Sequence, residues 1–388
     1  MAPAPGVVAV VVGALAALFV AARDISHGGH LGAFALSSNV FVHPGATSDL
    51  PVHSGTNGYD GQFYYRLALN PLTHQVTAFH ITLDNPPYRQ QRIGLPATAW
   101  AVREVFRAPT SLALVLVNVL ALVAVGWAGA MWARKYGRSP WWGVALAASP
   151  ALVMALARDL TEPLATAALV VGLLSWTRGR LWLASVAFTA AVLCRETVLV
   201  VLLGMGVWCL VQRLRGGGRE TRRTNAAQIV ALCIPAAIEV GWQFHVRQVW
   251  GGKKLPTLSG NGQVGFSLLK PVRSFFFNAS DIGLSHQGIL DAIWLVERFL
   301  LLGLLIVVAS GLLRSAAPPE IRLGWVFAAL LGLSVAWNQD VEFVRAANEA
   351  IVVGQLLLLA RKDRVARFAV TGIAGWSVLV AAVYAAAL

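Results

Sequence analysis

The sequence predicts an all-α polytopic membrane protein with about eleven transmembrane helices in a single domain, residues 1–388. The chain is 57% hydrophobic and only 13% charged, whereas soluble domains carry about 25% charged residues. Apolar runs near the roughly 20 residues needed to cross a bilayer follow one another along most of the chain. Basic residues gather in the short connections between these runs, as in membrane proteins with several spans.

The first predicted span covers residues 6–22, and ten further apolar runs follow it. Their approximate bounds are 110–133, 141–157, 163–177, 181–194, 197–212, 226–246, 289–313, 323–337, 346–360 and 368–387. Each is predicted to form one unbroken helix. The residues before the first span include no Lys or Arg, so they lack the n-region of a signal peptide. Cleavage near Ala22 stays open, and it would not change the side assigned to the next segment.

Two long polar segments interrupt the apolar pattern, at residues 23–109 and 247–288. The first contains two stretches with helical patterning, about 60–69 and about 97–107, which we expect to be amphipathic lateral helices along the membrane surface. A loop packed on the helix bundle is the alternative. The second segment is Gly-rich and carries Lys253 and Lys254. It predicts either a lid that orders on substrate or an exposed tip without a role.

The charge distribution predicts the topology. The five short connections between spans hold sixteen basic residues against three acidic ones, and the difference equals the whole net charge of +13. Positive loops stay in the cytoplasm, so we expect a cytoplasmic N-terminus and both long segments facing outward. In a soluble protein this charge would suggest nucleic-acid binding. Because the basic residues lie between spans, topology explains them and no nucleic-acid partner is expected.

The most polar and aromatic stretch of the first outer segment covers residues 57–68. Its Asp60 is predicted to be a general base in an outward cavity, where aromatic side chains exclude water and raise its pKa. The neighbouring candidates for substrate contact are Tyr59, Gln62, Tyr64 and Tyr65. Two alternatives stay open: Asp60 can cap a helix, and Tyr64 and Tyr65 can belong to the aromatic belt of the membrane interface.

Further charged residues supply binding candidates. Arg89 and Arg92 lie three residues apart in the first long polar segment, and the others stand at the outward ends of predicted spans: Asp159 and Glu162, Arg195 and Glu196, and Glu342 and Arg345. Arginine grips phosphate with charge-assisted hydrogen bonds, and ionisable residues near membrane depth are usually functional. Asp159 and Glu162 would share one face of a helical turn, three residues apart. The alternative is that these groups form ion pairs or headgroup contacts that close the ends of the spans.

The sequence predicts no resident metal or cofactor, although a divalent metal stays open. His27 and His30 flank two glycines without a third ligand at defined spacing. Cys194, Cys209 and Cys233 lie in apolar runs, without metal or redox spacing. Glycine-rich phosphate-binding and dinucleotide-binding motifs are also missing.

The stretch Tyr59-Asp60-Gly61-Gln62-Phe63-Tyr64-Tyr65-Arg66-Leu67-Ala68 resembles the first-loop signature of GT-C-type integral membrane glycosyltransferases. It is similar to a motif of the PIG-V-like mannosyltransferase family, and bacterial relatives carry a comparable string. Thr161-Glu162-Pro163-Leu164 resembles that family's Tyr-x-Glu-Ser element, and Cys194-Arg195-Glu196-Thr197 resembles its Arg-containing turn. The resemblance covers residues 1–200. It departs from the family pattern at Gln62, Phe63 and Glu196, which leaves the sugar and the acceptor open.

The resemblance implies a GT-C-like fold and an enzyme of the bacterial plasma membrane. Such an enzyme transfers a sugar, with inversion, from a polyprenyl-phosphate-linked donor to a glycan, lipid or protein acceptor, with Asp60 as general base. The donor class also fits an outward-facing site, which has no ready supply of cytoplasmic nucleotide sugars. We expect Arg195 and Arg345 to stabilise the leaving phosphate, with Arg89 and Arg92 behind them.

Two other functions stay open at the level of sequence. A transporter or flippase of lipid-linked sugars would also place charges around an outer cavity, but it predicts broken or charged helices near the bilayer midplane. The predicted spans are unbroken, and only Glu239 and the pair Glu297 and Arg298 approach that depth. A non-catalytic subunit of a cell-envelope assembly would need no base at Asp60.

Overall fold

A computed structural model of the chain describes residues 3–46, 49–216, 219–251, 286–334 and 342–386. These residues are mostly helical, with little sheet. Their α-helices are α1 Pro5–Ser26, α2 Gly61–Leu69, α3 Pro86–Gln90, α4 Gly94–Phe106, α5 Thr110–Lys135, α6 Trp142–Ala147, α7 Pro150–Leu156, α8 Glu162–Trp176, α9 Leu181–Cys194, α10 Val198–Leu214, α11 Arg219–Val249, α12 His286–Ser310, α13 Pro319–Ser334, α14 Glu342–Ala346, α15 Asn348–Leu359 and α16 Arg364–Ala386. Most of the predicted lid at 247–288, with Lys253 and Lys254, lies outside the described residues.

Three helices in the described ranges are long and apolar enough to cross a membrane. They are Pro5–Ser26, Thr110–Lys135 and Thr224–Val249, the last being most of α11. Four shorter apolar helices, α8, α9, α10 and α15, have 10–17 residues. A helix rises about 1.5 Å per residue, so these four are shorter than the roughly 30 Å hydrocarbon core of a bilayer. In the part of the chain described, three helices are therefore both long enough and apolar enough to cross a membrane, whereas the sequence predicts about eleven spans.

The span predicted at 141–157 is wrong as one helix, because it forms two short helices, α6 and α7. The chain leaves the helical conformation at Ser149, whose φ is −50° and ψ is 138°. Pro150 starts α7, and a proline disfavours the helical conformation in the residue before it. The sequence therefore contains the break, although hydropathy alone does not reveal it.

The centre of the helix bundle is α15, all of whose residues are buried. Two indole groups hold it from neighbouring helices: Trp132 of α5 donates to the Leu356 carbonyl at 2.9 Å, and Trp325 of α13 donates to the Ala350 carbonyl at 3.0 Å. A helix surrounded on all sides is apolar around its whole circumference. The polar residues Asn348 and Glu349 form the start of this buried helix, and the candidate site lies at that end of it.

The polar segment 23–109 carries short elements besides its helices. A 3₁₀ turn covers Leu31–Ala35, the strands β1 Ser37–Ser38 and β2 Val52–His53 pair in parallel, and β3 Thr77–Ala78 and β4 Ile81–Thr82 pair antiparallel. The two predicted helical stretches are helices, at 61–69 and 94–106. The surface location predicted for the first is wrong, because all side chains of α2 from Gly61 to Ala68 are buried. The second, α4, keeps Val105 and Phe106 exposed, as a lateral helix would.

Candidate functional site

Asp60 stands directly before α2, and its carboxylate does not cap the helix. It accepts a hydrogen bond from Arg89 Nη1 at 2.6 Å, and both terminal nitrogens of Arg345 lie 3.3 Å from its second oxygen. The side chain keeps 16% of its surface exposed. The carboxylate is therefore held between two arginines, with one edge open to solvent.

Gly61 explains why Asp60 is followed by glycine. A Cβ at position 61 would overlap the Arg158 carbonyl oxygen and lie 3.0 Å from Ala35 backbone atoms. The missing side chain lets the first turn of α2 press against the turn between α7 and α8. This close approach brings Asp60 within reach of the residues at the start of α8.

Arg89, on α3, joins two carboxylates. Its Nε and Nη2 donate to Asp84 at 2.8 and 2.7 Å, while Nη1 donates to Asp60. The guanidinium lies over the ring of Phe63, 4.4 Å from its centroid. Aromatic contact and two acidic partners fix the orientation of this arginine.

Arg345 extends the ion pairs into the bundle. Its Nε donates to Glu162 Oε1 at 2.7 Å, and its Nη1 donates to the Tyr59 hydroxyl at 3.0 Å. Arg195 pairs with the same oxygen of Glu162, and it also donates to Glu349 at 3.0 Å and to the Arg345 carbonyl at 2.9 Å. The side chains of Glu162, Arg195, Arg345 and Glu349 are buried, whereas Tyr59 and Asp60 are partly exposed and Asp84 keeps 29% of its side-chain surface exposed. We call this set the Asp60 network: Asp60, Asp84, Arg89, Glu162, Arg195, Arg345 and Glu349.

A second pair, Arg92 with Glu196, lies beside the Asp60 network. Arg92 grips the carboxylate with two nitrogens, at 2.7 and 3.0 Å. This contact ties the junction of α3 and α4 to the turn between α9 and α10, because Glu196 lies in that turn. Paired guanidinium and carboxylate groups of this geometry form strong, orienting contacts.

The electrostatics reverse the expectation for Asp60. Burial would raise its pKa, but the combined attraction of Arg89, Arg345 and Arg92 is stronger and lowers the pKa of Asp60 to about 2. The prediction that aromatic neighbours raise this pKa is therefore wrong, since the guanidinium groups decide the sign. The same balance between burial and Arg92 lowers the pKa of Glu196 to about 2.

Tyr64 lies one turn after Asp60 in α2, and its side chain is fully buried. No residue of the described ranges forms a hydrogen bond with its hydroxyl. Burial, together with the charge of Asp60, raises the pKa of Tyr64 to about 12 against the opposing effect of nearby arginines. The hydroxyl is therefore protonated and able to donate a hydrogen bond inside the site.

Four of the predicted binding residues lie elsewhere or outside the description. The side-chain amide of Gln62 accepts a hydrogen bond from the Ser38 N–H and donates one to the Asn57 carbonyl. The Tyr65 hydroxyl donates to Asp49 at 2.6 Å. Asp159 is fully buried beside Asn118, and burial raises its pKa well above the usual range. Its φ of 50° is not helical, so the predicted shared face with Glu162 is wrong. Glu342 starts α14, and its side chain is outside the described part.

Sequence reasoning did not assign Asp84 or Thr197 to the site. Asp84 pairs with Arg89, and the Thr197 hydroxyl donates to Glu349 at 2.9 Å. Asp84 lies five positions before Arg89, and Thr197 lies two positions after Arg195. This closeness in sequence to two predicted binding residues is the signal that could have found them. Of the residues that the structure describes, no group of three or more His, Cys, Asp or Glu is arranged to hold a metal ion.

No protein-family model matches the chain, and no curated protein matches it either. Four guanidinium groups, of Arg89, Arg92, Arg195 and Arg345, face five carboxylates, of Asp60, Asp84, Glu162, Glu196 and Glu349. Because every arginine is already paired, an entering anion has to share or displace a carboxylate.

Proposed function

We propose that this chain is an integral membrane glycosyltransferase of GT-C-like architecture that transfers a sugar from a polyprenyl-phosphate-linked donor to an acceptor hydroxyl. The observation that carries the proposal is the position of Asp60. It is an ionised carboxylate with one exposed edge, in direct contact with two arginines. A base and a pair of phosphate-binding groups are the minimum that such a transfer needs.

The low pKa of Asp60 agrees with a base that becomes stronger when the donor binds. Arg89 and Arg345 hold the carboxylate by direct contacts. A donor phosphate would attract the same two guanidinium groups and add a negative charge close to Asp60. Both effects raise the proton affinity of a carboxylate. The site would thus acquire its base together with its substrate.

The reaction would be a single displacement with inversion at the anomeric carbon. Asp60 removes the proton of the acceptor hydroxyl while the bond between the sugar and the phosphate oxygen breaks on the opposite face. The negative charge that develops on the leaving phosphate is stabilised by Arg89 and Arg345. Arg195 has the role of a positioning residue, because its nitrogens are occupied by Glu162, Glu349 and the Arg345 carbonyl.

The location follows from the charge pattern of the sequence. With the basic connections in the cytoplasm, the first outer segment and its Asp60 would face the outer side of a bacterial plasma membrane, and the N-terminus would be cytoplasmic. About eleven spans belong to this proposal, with the short apolar helices crossing as parts of one bundle. The partners would be the lipid-linked donor, an acceptor glycan, lipid or protein, and the surrounding lipids, without nucleic acid.

The decisive experiment measures sugar transfer by the purified full chain in lipid vesicles, with wild type and Asp60→Asn compared. Loss of a general base lowers the rate by about 10²–10⁴. The matched control is Asp363→Asn, which also removes a carboxylate from an arginine pair but lies beyond the other end of α15. Near-normal transfer by the Asp60→Asn protein would sink the assignment.

A transporter or flippase of lipid-linked sugars is the second candidate, and one observation favours it. The break between α6 and α7 removes the argument from unbroken spans, since transporters place their sites at interrupted helices. The same vesicles separate the two functions. A flippase moves labelled lipid-linked sugar between leaflets without an acceptor, whereas a transferase consumes the donor only when an acceptor is present. A non-catalytic assembly subunit predicts that Asp60→Asn still complements a deletion strain.

A further inference from the structure

Arg66 differs from Arg89 and Arg92, which are also buried in the polar segment 23–109. It is fully buried on α2, six residues after Asp60 and thus on another side of the helix. Its Nη2 donates to the Thr73 hydroxyl at 3.0 Å. Its Nε and Nη1 are buried and have no hydrogen-bond acceptor among the residues described. No carboxylate in the described ranges pairs with it, whereas Arg89 and Arg92 both have acidic partners.

An unpaired guanidinium is costly in the interior of a protein. A buried charge is normally compensated by a counter-charge, because taking it out of water is unfavourable. A lysine or histidine in this position could lose its proton, but arginine stays charged. Burial lowers the pKa of Arg66, in agreement with the lack of a paired carboxylate among the described residues. No negative group of the described residues compensates the charge of Arg66.

An aromatic side chain covers this guanidinium. The ring centroid of Phe79 lies 5.1 Å from the central carbon of Arg66, and 47% of the Phe79 side chain is exposed on the other side. Phe79 and His80 form the turn between β3 and β4 with φ of 51° and 60°. Such a turn normally takes Asn or Gly, and side chains held in this conformation cluster at ligand clamps. Phe79 is therefore held, against its backbone preference, as a roof over the cation.

We propose that Arg66 binds a small phosphate group, inorganic or a phosphomonoester, which reaches the guanidinium when Phe79 turns aside. The free Nε–H and Nη1–H groups would donate charge-assisted hydrogen bonds to its oxygens, while Thr73 holds the third nitrogen in place. Phe79 closes over the ion pair and excludes water, which strengthens the attraction. The site is separate from the Asp60 network and does not depend on the proposed glycosyltransferase activity.

The test measures thermal unfolding of the full chain in a neutral detergent with increasing sodium phosphate, against sodium chloride of matched ionic strength. A ligand that binds only the folded state raises the unfolding temperature, and a tenfold excess over its dissociation constant corresponds to roughly 2 °C for a chain of this size. Arg66→Met should abolish this rise. It should still fold, because an apolar side chain replaces an uncompensated charge.

Two variants control for other arginines. Arg103→Met lies in the same outer segment and removes a partly exposed arginine paired with Glu104, so its phosphate response should equal that of wild type. Arg89→Met disturbs the Asp60 network and should lose sugar transfer while keeping the response. Phe79→Gly accommodates the positive φ and retains Arg66, but it opens the roof, so the phosphate affinity should fall several-fold even if Arg66→Met does not fold.

A second arm identifies the source of the phosphate group. The chain is placed in nanodiscs of phosphatidylcholine alone or with phosphatidic acid, whose headgroup is a phosphomonoester, without added phosphate. Stabilisation by phosphatidic acid that Arg66→Met loses would assign a lipid headgroup, and stabilisation by inorganic phosphate alone would assign a soluble ligand. The proposal is overturned if wild type responds to neither, if Arg66→Met responds like wild type, or if the response disappears in Arg89→Met instead.

Discussion

Arg345 and Asp60 are 285 positions apart in the chain, yet both terminal nitrogens of the arginine lie 3.3 Å from one carboxylate oxygen. The same guanidinium donates to Glu162 at 2.7 Å. A single cation therefore joins the polar segment 23–109, the start of α8 and the short helix α14. Because two carboxylates depend on it, its removal should be felt in both the folding and the chemistry of the site.

Arg345→Met should destabilise the protein strongly. The substitution leaves the fully buried Glu162 with one arginine fewer, and breaking a buried ion pair costs about 3–5 kcal/mol. Arg345→Lys should recover only part of this loss, because an ammonium group cannot contact Glu162, Tyr59 and Asp60 at once as the planar guanidinium does. The measurement is thermal unfolding of the purified variants in detergent.

The control for this prediction is Arg103→Met. Arg103 pairs with Glu104, whose side chain is half exposed, and exposed pairs contribute about 0–1 kcal/mol. An equal loss of stability in Arg103→Met and Arg345→Met would contradict the structural role assigned to Arg345.

Stability should fall in acid over a defined pH range. The pKa of Asp60 is lowered from 3.8 and that of Glu196 from 4.5, both to about 2, by arginines that outweigh the effect of burial. A lowered pKa adds stability that is fully present above the unfolded value and is lost as the pH falls through the folded one. The free energy of unfolding should therefore decline from about pH 5 to about pH 2, by on the order of 2–3 kcal/mol for each group, and the unfolding temperature should fall with it.

Substitution of each carboxylate tests the origin of this decline. Asp60→Asn and Glu196→Gln should each make the curve of unfolding temperature against pH flatter in this range. Asp84→Asn serves as the comparison, since its partner Arg89 keeps Asp60. If both substituted proteins retain the full wild-type slope, other groups cause the acid sensitivity.

The charged residues of the site were predictable because they are conspicuous in an apolar chain. Arg195, Glu162 and Arg345 stand at the ends of apolar runs and Arg89 lies in the polar segment 23–109, and the structure joins them through ion pairs that include Asp60. Their pairing was not predictable, because it links positions up to 285 residues apart. The sign of the Asp60 pKa shift depends on that pairing, so the local aromatic sequence suggested the wrong direction.

The break between α6 and α7 and the burial of α2 show which features a sequence predicts and which it does not. The break between α6 and α7 is visible in the dipeptide Ser149-Pro150, whose backbone preference is local. The burial of α2 cannot be predicted from its sequence, because the helix contains the polar residues Gln62 and Arg66. In the fold, Gln62 is hydrogen-bonded to Ser38 and Arg66 is covered by Phe79, both of which lie outside the helix. Local rules thus describe where helices end, whereas tertiary packing decides which helices are covered.

Gly61→Ala should disturb the site without changing any charge. The added methyl group would overlap the Arg158 carbonyl oxygen, and forcing extra atoms into a packed position costs about 1–3 kcal/mol. Relief of the overlap would move the first turn of α2 and Asp60 away from α8, so sugar transfer should fall together with the unfolding temperature. Gly303→Ala is the control, since no atom lies within 4 Å of its added Cβ. Full transfer activity in Gly61→Ala would show that this close approach is not needed.

The adjacent tyrosines Tyr64 and Tyr65 should respond in opposite ways to loss of their hydroxyl groups. The Tyr64 hydroxyl is buried without a hydrogen-bond partner among the described residues, so Tyr64→Phe should be as stable as wild type or more stable. If this hydroxyl donates to the substrate, transfer should fall about tenfold, the effect of a hydrogen bond of about 1.4 kcal/mol. Tyr65→Phe loses the 2.6 Å bond to Asp49, which should cost about 1.5–3 kcal/mol of stability while transfer at a permissive temperature stays unchanged. Paired measurements of unfolding temperature and transfer rate on both proteins check this, and a stable, fully active Tyr64→Phe would remove Tyr64 from the site.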